Sequence, residues 1–190
     1  VHRYVSSLCS WLRALDQDTD LEVQVPLADE EGEVCQVHDH RPQGPEAVCT
    51  VQRWVKGQDI ADDEDRNAND LPEDTMRGLG MLLGRIHRHG TAWTRPDGFH
   101  RLQIDWMSDV AELEREVGRG HLNRDEMAIL QRTVEVIVRN REAHGEPWGL
   151  THGDFRPGNC VEDQGHFKAI DFDLCALTYQ FDDVGWFFAR

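Results

Sequence analysis

Apolar positions along this chain fall first into short alternating runs and then into longer runs of helical period. Val5, Leu8, Cys9, Trp11, Leu12 and Leu15 recur at mostly three- and four-residue spacing, which predicts a short amphipathic helix over 5–15. Leu21–Val25 alternates apolar and polar residues and stops at Pro26, the pattern of a half-buried strand. Asp29-Glu30-Glu31-Gly32 supplies turn residues, and Val34–Val37 is predicted as the return strand of a hairpin. The prolines and glycine of His40–Pro45 read as a loop, and Ala47–Val55 as a third strand.

After Gly57 the pattern changes. Asp59–Asp70 is acidic and turn-rich and reads as a surface linker, and past it every long periodic segment is helical. Leu71–Arg88 places Leu79, Leu82, Leu83 and Ile86 on one face, with Pro72 near its first turn. Its Gly78, Gly80 and Gly84 lower intrinsic propensity, so tertiary packing has to hold it. Trp106–Val117 and Arg124–Arg141 continue the helical pattern, the second through Met127, Leu130, Val134, Ile137 and Val138. Strands first and helices second predict an α+β protein of two lobes meeting near Gly57.

Composition narrows the class. A chain of 190 residues buries roughly 70% of its unfolded surface, so it needs no staple to fold. Hydrophobic residues at 39% and charged residues at 29% suit a globular protein. No run of about 18 apolar residues predicts a membrane span. The opening VHRYVSSLCS lacks an apolar signal-peptide core, so a cytoplasmic location is expected. The net charge of −16 argues against a nucleic-acid partner. Lys56 and Lys168 are the two lysines against eighteen arginines, and a solvated acidic surface is favoured over a salt adaptation or a trap for cations. Cys9, Cys35, Cys49, Cys160 and Cys175 form no CxxC pair, so reduced thiols are expected rather than a zinc ribbon or a redox dithiol.

The chemistry concentrates in Leu150–Asp173, L-T-H-G-D-F-R-P-G-N-C-V-E-D-Q-G-H-F-K-A-I-D-F-D. Pro157-Gly158 forces a turn after Asp154, and Cys160–Glu162 with Phe167–Ile170 fits a hairpin around Asp163–His166. If Glu162 faces Phe167, Asn159 faces Ile170 and Asp171 lies beside Asn159. Opposed residues sit about 5 Å apart, close enough for Asn159 and Asp171 to share one metal ion. Asp154 reaches the same place from the loop. A carboxylate with an amide oxygen is a hard-oxygen set that suits Mg²⁺. A further carboxylate held off the metal can accept a proton from an attacking hydroxyl, which is the equipment of phosphoryl transfer.

The motif H-G-D-x-x-x-x-N at 152–159, followed by I-D-F-D at 170–173, resembles the aminoglycoside phosphotransferase and choline-kinase-like family. The likeness extends to V-Q-R-W-V-K-G at 51–57, L-G-M-L-L-G-R-I-H at 79–87, Trp148-Gly149-Leu150 and Phe181–Val184. It implies a bilobal protein-kinase-like fold. Residues 1–56 would be the remainder of a β-rich lobe ending in the hinge, and 57–190 a helical lobe with the catalytic loop. It implies an ATP- and Mg²⁺-dependent phosphotransferase. The γ-phosphate would pass to a hydroxyl of a small molecule (aminoglycoside, homoserine or choline-like) or of a protein Ser/Thr. Asp154 is implied as catalytic base and Asn159 and Asp171 as Mg²⁺ ligands, with Asp173 joining the metal site or orienting its waters. His152 is implied as a brace of the loop. Arg156 takes the place of a phosphate-neutralising lysine, and backbone groups of Arg53 and Val55 are implied as adenine partners. The resemblance also implies a fragment. Val1-His2-Arg3 looks like the end of a strand whose nucleotide-binding basic residue lies upstream, and Phe187–Arg190 lies inside an apparent helix.

A competing reading is a kinase-like binding or regulatory module without catalysis, since no acidic residue occurs over 1–15 to pair with that basic residue. A metal-dependent hydrolase using the same carboxylates ranks below both. Plainer readings are preferred for the other signals. His38-Asp39-His40 reads as a solvated loop rather than a metal site, and Asp59–Asp65 as a linker rather than a trap for a cationic substrate. His87, Arg88 and His89 read as cations at a helix end. Trp54, Trp93, Trp106 and Trp148 read as packing residues. Asp183 reads as a buried helix cap that braces the loop, and Cys160 and Cys175 as inert packing.

Overall fold

The computed structural model describes residues 1–38, 47–60, 71–104, 119–145 and 147–189. Helix α1 (His2–Asp18) buries Leu8, Trp11, Leu12 and Leu15, the face expected from their spacing. It starts earlier than the periodicity indicates. The Tyr4 and Val5 N–H groups both bond Val1 O, at 3.0 and 3.1 Å. Residues 1–3 therefore open a helical turn and are not the strand end that the resemblance implied.

The strand pairing also differs from the expected hairpin. Arg53 N–H donates to Val25 O and Leu27 N–H to Val51 O, both at 2.8 Å, so the extended segment 21–27 runs beside 51–53. Strand β1 (Gln36–His38) pairs antiparallel with β2 (Ala47–Cys49), with Val37 opposite Val48. The turn itself forms: Asp29 N–H donates to Glu33 O at 2.9 Å, and Asp29 Oδ1 accepts from the N–H groups of Glu31 and Glu33 at 3.0 and 2.8 Å, but 21–27 takes 51–53 as its neighbour. Of the expected third strand, only 47–49 forms a ladder, and Gln52 makes an isolated bridge to Pro26.

Asp59, read as the start of a linker, forms with Gln58 the short strand β3 (Gln58–Asp59) against β5 (Cys160–Asp163), with Gln58 opposite Glu162. The residues just after Gly57 are thereby stitched to the hairpin of the candidate site. Helix α2 (Glu73–Ala92) follows Pro72 and buries Leu79, Leu82, Leu83 and Ile86, as expected, but continues past Arg88. Helix α3 (Arg124–His144) begins with a capping box between Asn123 and Glu126 and ends at left-handed Gly145. The helix expected over 106–117 lies outside the described residues, as do Asp39, His40, 61–70 and Trp106.

Strand β4 (Trp148–Thr151) pairs antiparallel with β7 (Ala176–Tyr179), and β5 pairs with β6 (His166–Ala169). The β5–β6 register sets Glu162 opposite Phe167 and Cys160 opposite Ala169, as expected. Helix α4 (Phe181–Ala189) ends the described chain. One apolar cluster joins these elements, with Trp11 and Leu15 of α1, Leu79 and Ile86 of α2, Leu150 of β4, and Phe155 and Phe172 from the loops. Full burial of each such side chain is worth about 1.5–3 kcal/mol. Among the described residues, no helix is long and apolar enough to cross a membrane.

Candidate active site

The loop that leaves β4 is held from below before it presents any polar group. His152 is fully buried, with its ring 4.4 Å from that of Phe172 and 5.7 Å from that of Phe155. Its Nε2 donates to Ile170 O at 2.9 Å, and its Nδ1 accepts from Asp154 N–H at 3.3 Å. One donor and one acceptor nitrogen define a neutral imidazole. Burial pushes its pKa below the ordinary histidine value, against the opposing pull of Asp183, the Ile170 carbonyl, Asp154 and Asp171. His152 therefore fastens the loop to the strand that leads to Asp171, the bracing role expected of it.

Gly153 adopts a φ of 84°, and a Cβ there would lie 2.0 Å from Leu174 O, so glycine is required. Beneath it, Asp183 accepts from the His152 N–H at 2.8 Å and the Gly153 N–H at 2.7 Å. Asp183 braces the loop as expected, although it sits within the first turn of α4 rather than capping it. Its third contact is His87 Nε2 at 2.8 Å. His87 is not a helix-end cation. Because α2 runs on to Ala92, His87 is buried well inside the helix and belongs to the brace.

Asp154 is 8% exposed. Asn159 Nδ2 donates to Asp154 O at 2.9 Å and to Asp154 Oδ2 at 3.0 Å, across a short 3-10 turn (Pro157–Asn159). Arg156 Nε lies 3.3 Å from the same carboxylate oxygen. With its nitrogen committed to Asp154, Asn159 has its amide oxygen as the branch that can serve as a ligand. Asn159 O also accepts the Ile170 N–H at 2.9 Å, which extends the β5–β6 ladder to the residue before Asp171. Asp171 is exposed, with a left-handed φ of 63°, and its N–H donates to Gln24 Oε1 at 2.6 Å. Phe172 then turns inward against Trp11, with ring centroids 5.7 Å apart.

Asp173 is exposed, and its carbonyl accepts from Arg101. Buried Arg101 also donates to Cys175 O at 2.9 Å and Tyr4 O at 3.2 Å, and its guanidinium lies 3.6 Å from the centre of the Tyr4 ring. No motif marked Arg101 or Gln24 in the sequence. Among the described residues, no three His, Cys, Asp or Glu side chains form a metal cage, so Asp154, Asp171 and Asp173 are not a three-carboxylate site. The donors that remain, one amide oxygen and one carboxylate, fit a hard cation that keeps waters and completes its shell with phosphate oxygens.

The residues expected to form the hinge lie apart from this cluster. Arg53 N–H is spent on Val25 O, and its guanidinium pairs with Asp16. The Val55 side chain is buried, while Trp54, expected to pack, is 83% exposed because neighbouring side chains on an extended segment face opposite ways. Trp93 and Trp148 do pack, edge-on against Phe99 and Tyr179. Lys168 Nζ donates to Lys56 O at 2.9 Å and pairs with Glu22 at 2.7 Å and Asp163 at 3.1 Å. Burial pushes the Cys175 thiol up to about 12 and the Cys160 thiol well above the ordinary range, so both are inert packing.

A model of the phosphotransferase enzyme family matches residues 8–190. Among solved structures, a microcompartment-associated aminopropanol kinase is similar at a TM-score of 0.72 and 28% identity, over 97% of this chain and 57% of that one. An amicoumacin kinase in complex with AMP-PNP and Ca²⁺ reaches 0.71 at 22% identity, over 98% of this chain and 53% of that one. An aminoglycoside 2'-phosphotransferase-IIIa in its GDP complex reaches 0.66 at 14% identity, over 97% and 60%. The α+β, protein-kinase-like architecture is common to all of them, and this chain spans a little over half their length. No curated protein matches the chain.

Proposed function

This chain belongs to the phosphotransferase enzyme family, and on that premise we propose that it carries the catalytic loop of an ATP- and Mg²⁺-dependent kinase acting on a hydroxyl of a small molecule. The observation that carries this reading is the joining of Asp154, Asn159 and Asp171. Asn159 bonds Asp154 through its side chain and reaches the strand of Asp171 through its carbonyl. Asp154 takes the proton of the acceptor hydroxyl, and Asn159 and Arg156 fix the direction of its carboxylate. Asn159 and Asp171 would hold Mg²⁺, with Asp173 orienting waters. When bound, the metal supplies neutralisation of charge on the nucleotide phosphates. Arg53, through its carbonyl, and Val55, through its N–H, would pair with the adenine edge, since the Arg53 N–H is already used.

Residues 1–56 then form the β-rich lobe with the hinge, and 57–190 the helical lobe. The similar structures support a small-molecule acceptor, since they are named for aminopropanol, amicoumacin and aminoglycosides. An amine-bearing alcohol also agrees with the charge of −16. Calorimetric titration of ATP with and without Mg²⁺ tests the reading, and metal-dependent binding is expected. No nucleotide binding by a longer chain that includes the upstream basic residue would favour the regulatory module. In the full-length parent, Asp154→Ala is expected to lower transfer to the acceptor by about 10²–10⁴-fold while nucleotide affinity stays near wild type. Unchanged turnover removes Asp154 from the mechanism.

A further inference from the structure

Asp171 takes a backbone conformation that its own strand does not stabilise. At a φ of 63° its Cβ crowds the following carbonyl, a shape uncommon for side-chain-bearing residues, although aspartate enters it more readily than most. The same turn ends the β5–β6 ladder. The Ile170 N–H is the last to reach Asn159 O, and the Asp171 N–H goes instead to the side-chain oxygen of Gln24, 147 residues away in sequence, at 2.6 Å.

The segment bearing Gln24 is anchored along its length. Leu21 and Val23 are 5% and 1% exposed in the core. Glu22 pairs with Lys168 of β6 at 2.7 Å, and Val25 O holds the Arg53 N–H at 2.8 Å. Glu22 and Gln24 share one side of this extended segment and meet a single strand, at 168 and at its continuation, 171. Gln24 can therefore offer its oxygen at a fixed place. A neutral amide suits the position, because a carboxylate there would repel Asp171 and a hydrocarbon would leave the exposed N–H to solvent, which does not fix its direction.

We infer that Gln24 is a positioning residue for the metal ligand Asp171: it accepts the N–H released by the left-handed turn and so sets the direction of the carboxylate. This rests on the reading of Asp171 as a ligand. It also joins the ligand to the hinge, since Val25, the next residue, is bonded to Arg53.

Gln24→Leu tests the inference by two measurements. Hydrogen exchange at the Asp171 amide is expected to speed up about tenfold, the weight of one lost hydrogen bond, while the amides of Leu82–Ile86 keep their protection. The metal-dependent part of nucleotide affinity, read by calorimetry with Mn²⁺ or Mg²⁺, is expected to weaken by a similar factor, with metal-free nucleotide affinity unchanged. If Gln24→Leu does not fold, Gln24→Asn, which withdraws the oxygen by one methylene, is expected to show both changes. Unaltered exchange at Asp171 overturns the inference, as does faster exchange with unaltered metal dependence. Asp171→Asn separates the two levels. Metal dependence lost in Asp171→Asn but kept in Gln24→Leu overturns the role of Gln24 alone, and metal dependence kept in both overturns the ligand reading beneath it.

Discussion

Three donors from two segments converge on the buried carboxylate of Asp183: the N–H groups of His152 and Gly153 and the Nε2 of His87. Each buried donor left without an acceptor costs about 1–3 kcal/mol. Asp183→Ala is therefore expected to destabilise the chain by about 3–5 kcal/mol, the range for removing one partner of a buried charged network. Asp183→Asn, which keeps one acceptor oxygen, should cost less, and urea unfolding of the two variants checks the order. At this scale the H-G-D and I-D-F-D motifs made Asp154, Asn159, Asp171 and His152 legible, because their spacing is local. His87, Gln24 and Arg101 carried no such signal. Their partners lie 96, 147 and 74 residues away, and neither periodicity nor spacing reports a contact of that range.

Among the elements, α2 shows how packing overrides propensity. Three of its four glycines, Gly78, Gly80 and Gly84, look alike in sequence, each giving up about 0.8–1.0 kcal/mol of helix propensity relative to alanine. A Cβ on Gly78 would stand 2.1 and 2.3 Å from two ring atoms of Phe167, whereas one on Gly80 or Gly84 would meet nothing within 4 Å. Overpacking costs about 1–3 kcal/mol, so Gly78→Ala is expected to be net destabilising. Gly80→Ala and Gly84→Ala should each stabilise by about 0.5–1 kcal/mol. Chemical denaturation of the three variants measures the signs. Helices α1, α2 and α3 were readable because an apolar face repeats within one segment. Strand pairing was less so, since alternation over 21–25 marks a strand without naming its neighbour. The β5–β6 hairpin is the exception, because its short turn leaves little choice of register.

Over the whole molecule, stability should depend on pH through His152. Its pKa is depressed in the fold, so below the ordinary value of about 6.5 the unfolded chain takes up a proton that the folded chain refuses. The stabilisation is fully present above that value and is lost as pH falls beneath it. Unfolding free energy measured at pH 7, 6 and 5 is expected to decline with a slope approaching about 1.4 kcal/mol per pH unit for this proton. His152→Gln should remove that part of the slope. The α+β class was visible in the chain. The stitching of Gln58 and Asp59 to the hairpin was not, because a two-residue ladder has no period to detect.

The ammonium of Lys168 touches three separate stretches at once: the carboxylate of Glu22, the carbonyl of Lys56 and the carboxylate of Asp163. Glu22 and Asp163 are 44% and 40% exposed, so solvent screens these two ion pairs to about 0–1 kcal/mol each. What Lys168 supplies is placement: one cation bridges the segment at Glu22, the end of the Val51–Lys56 run and the β5–β6 hairpin.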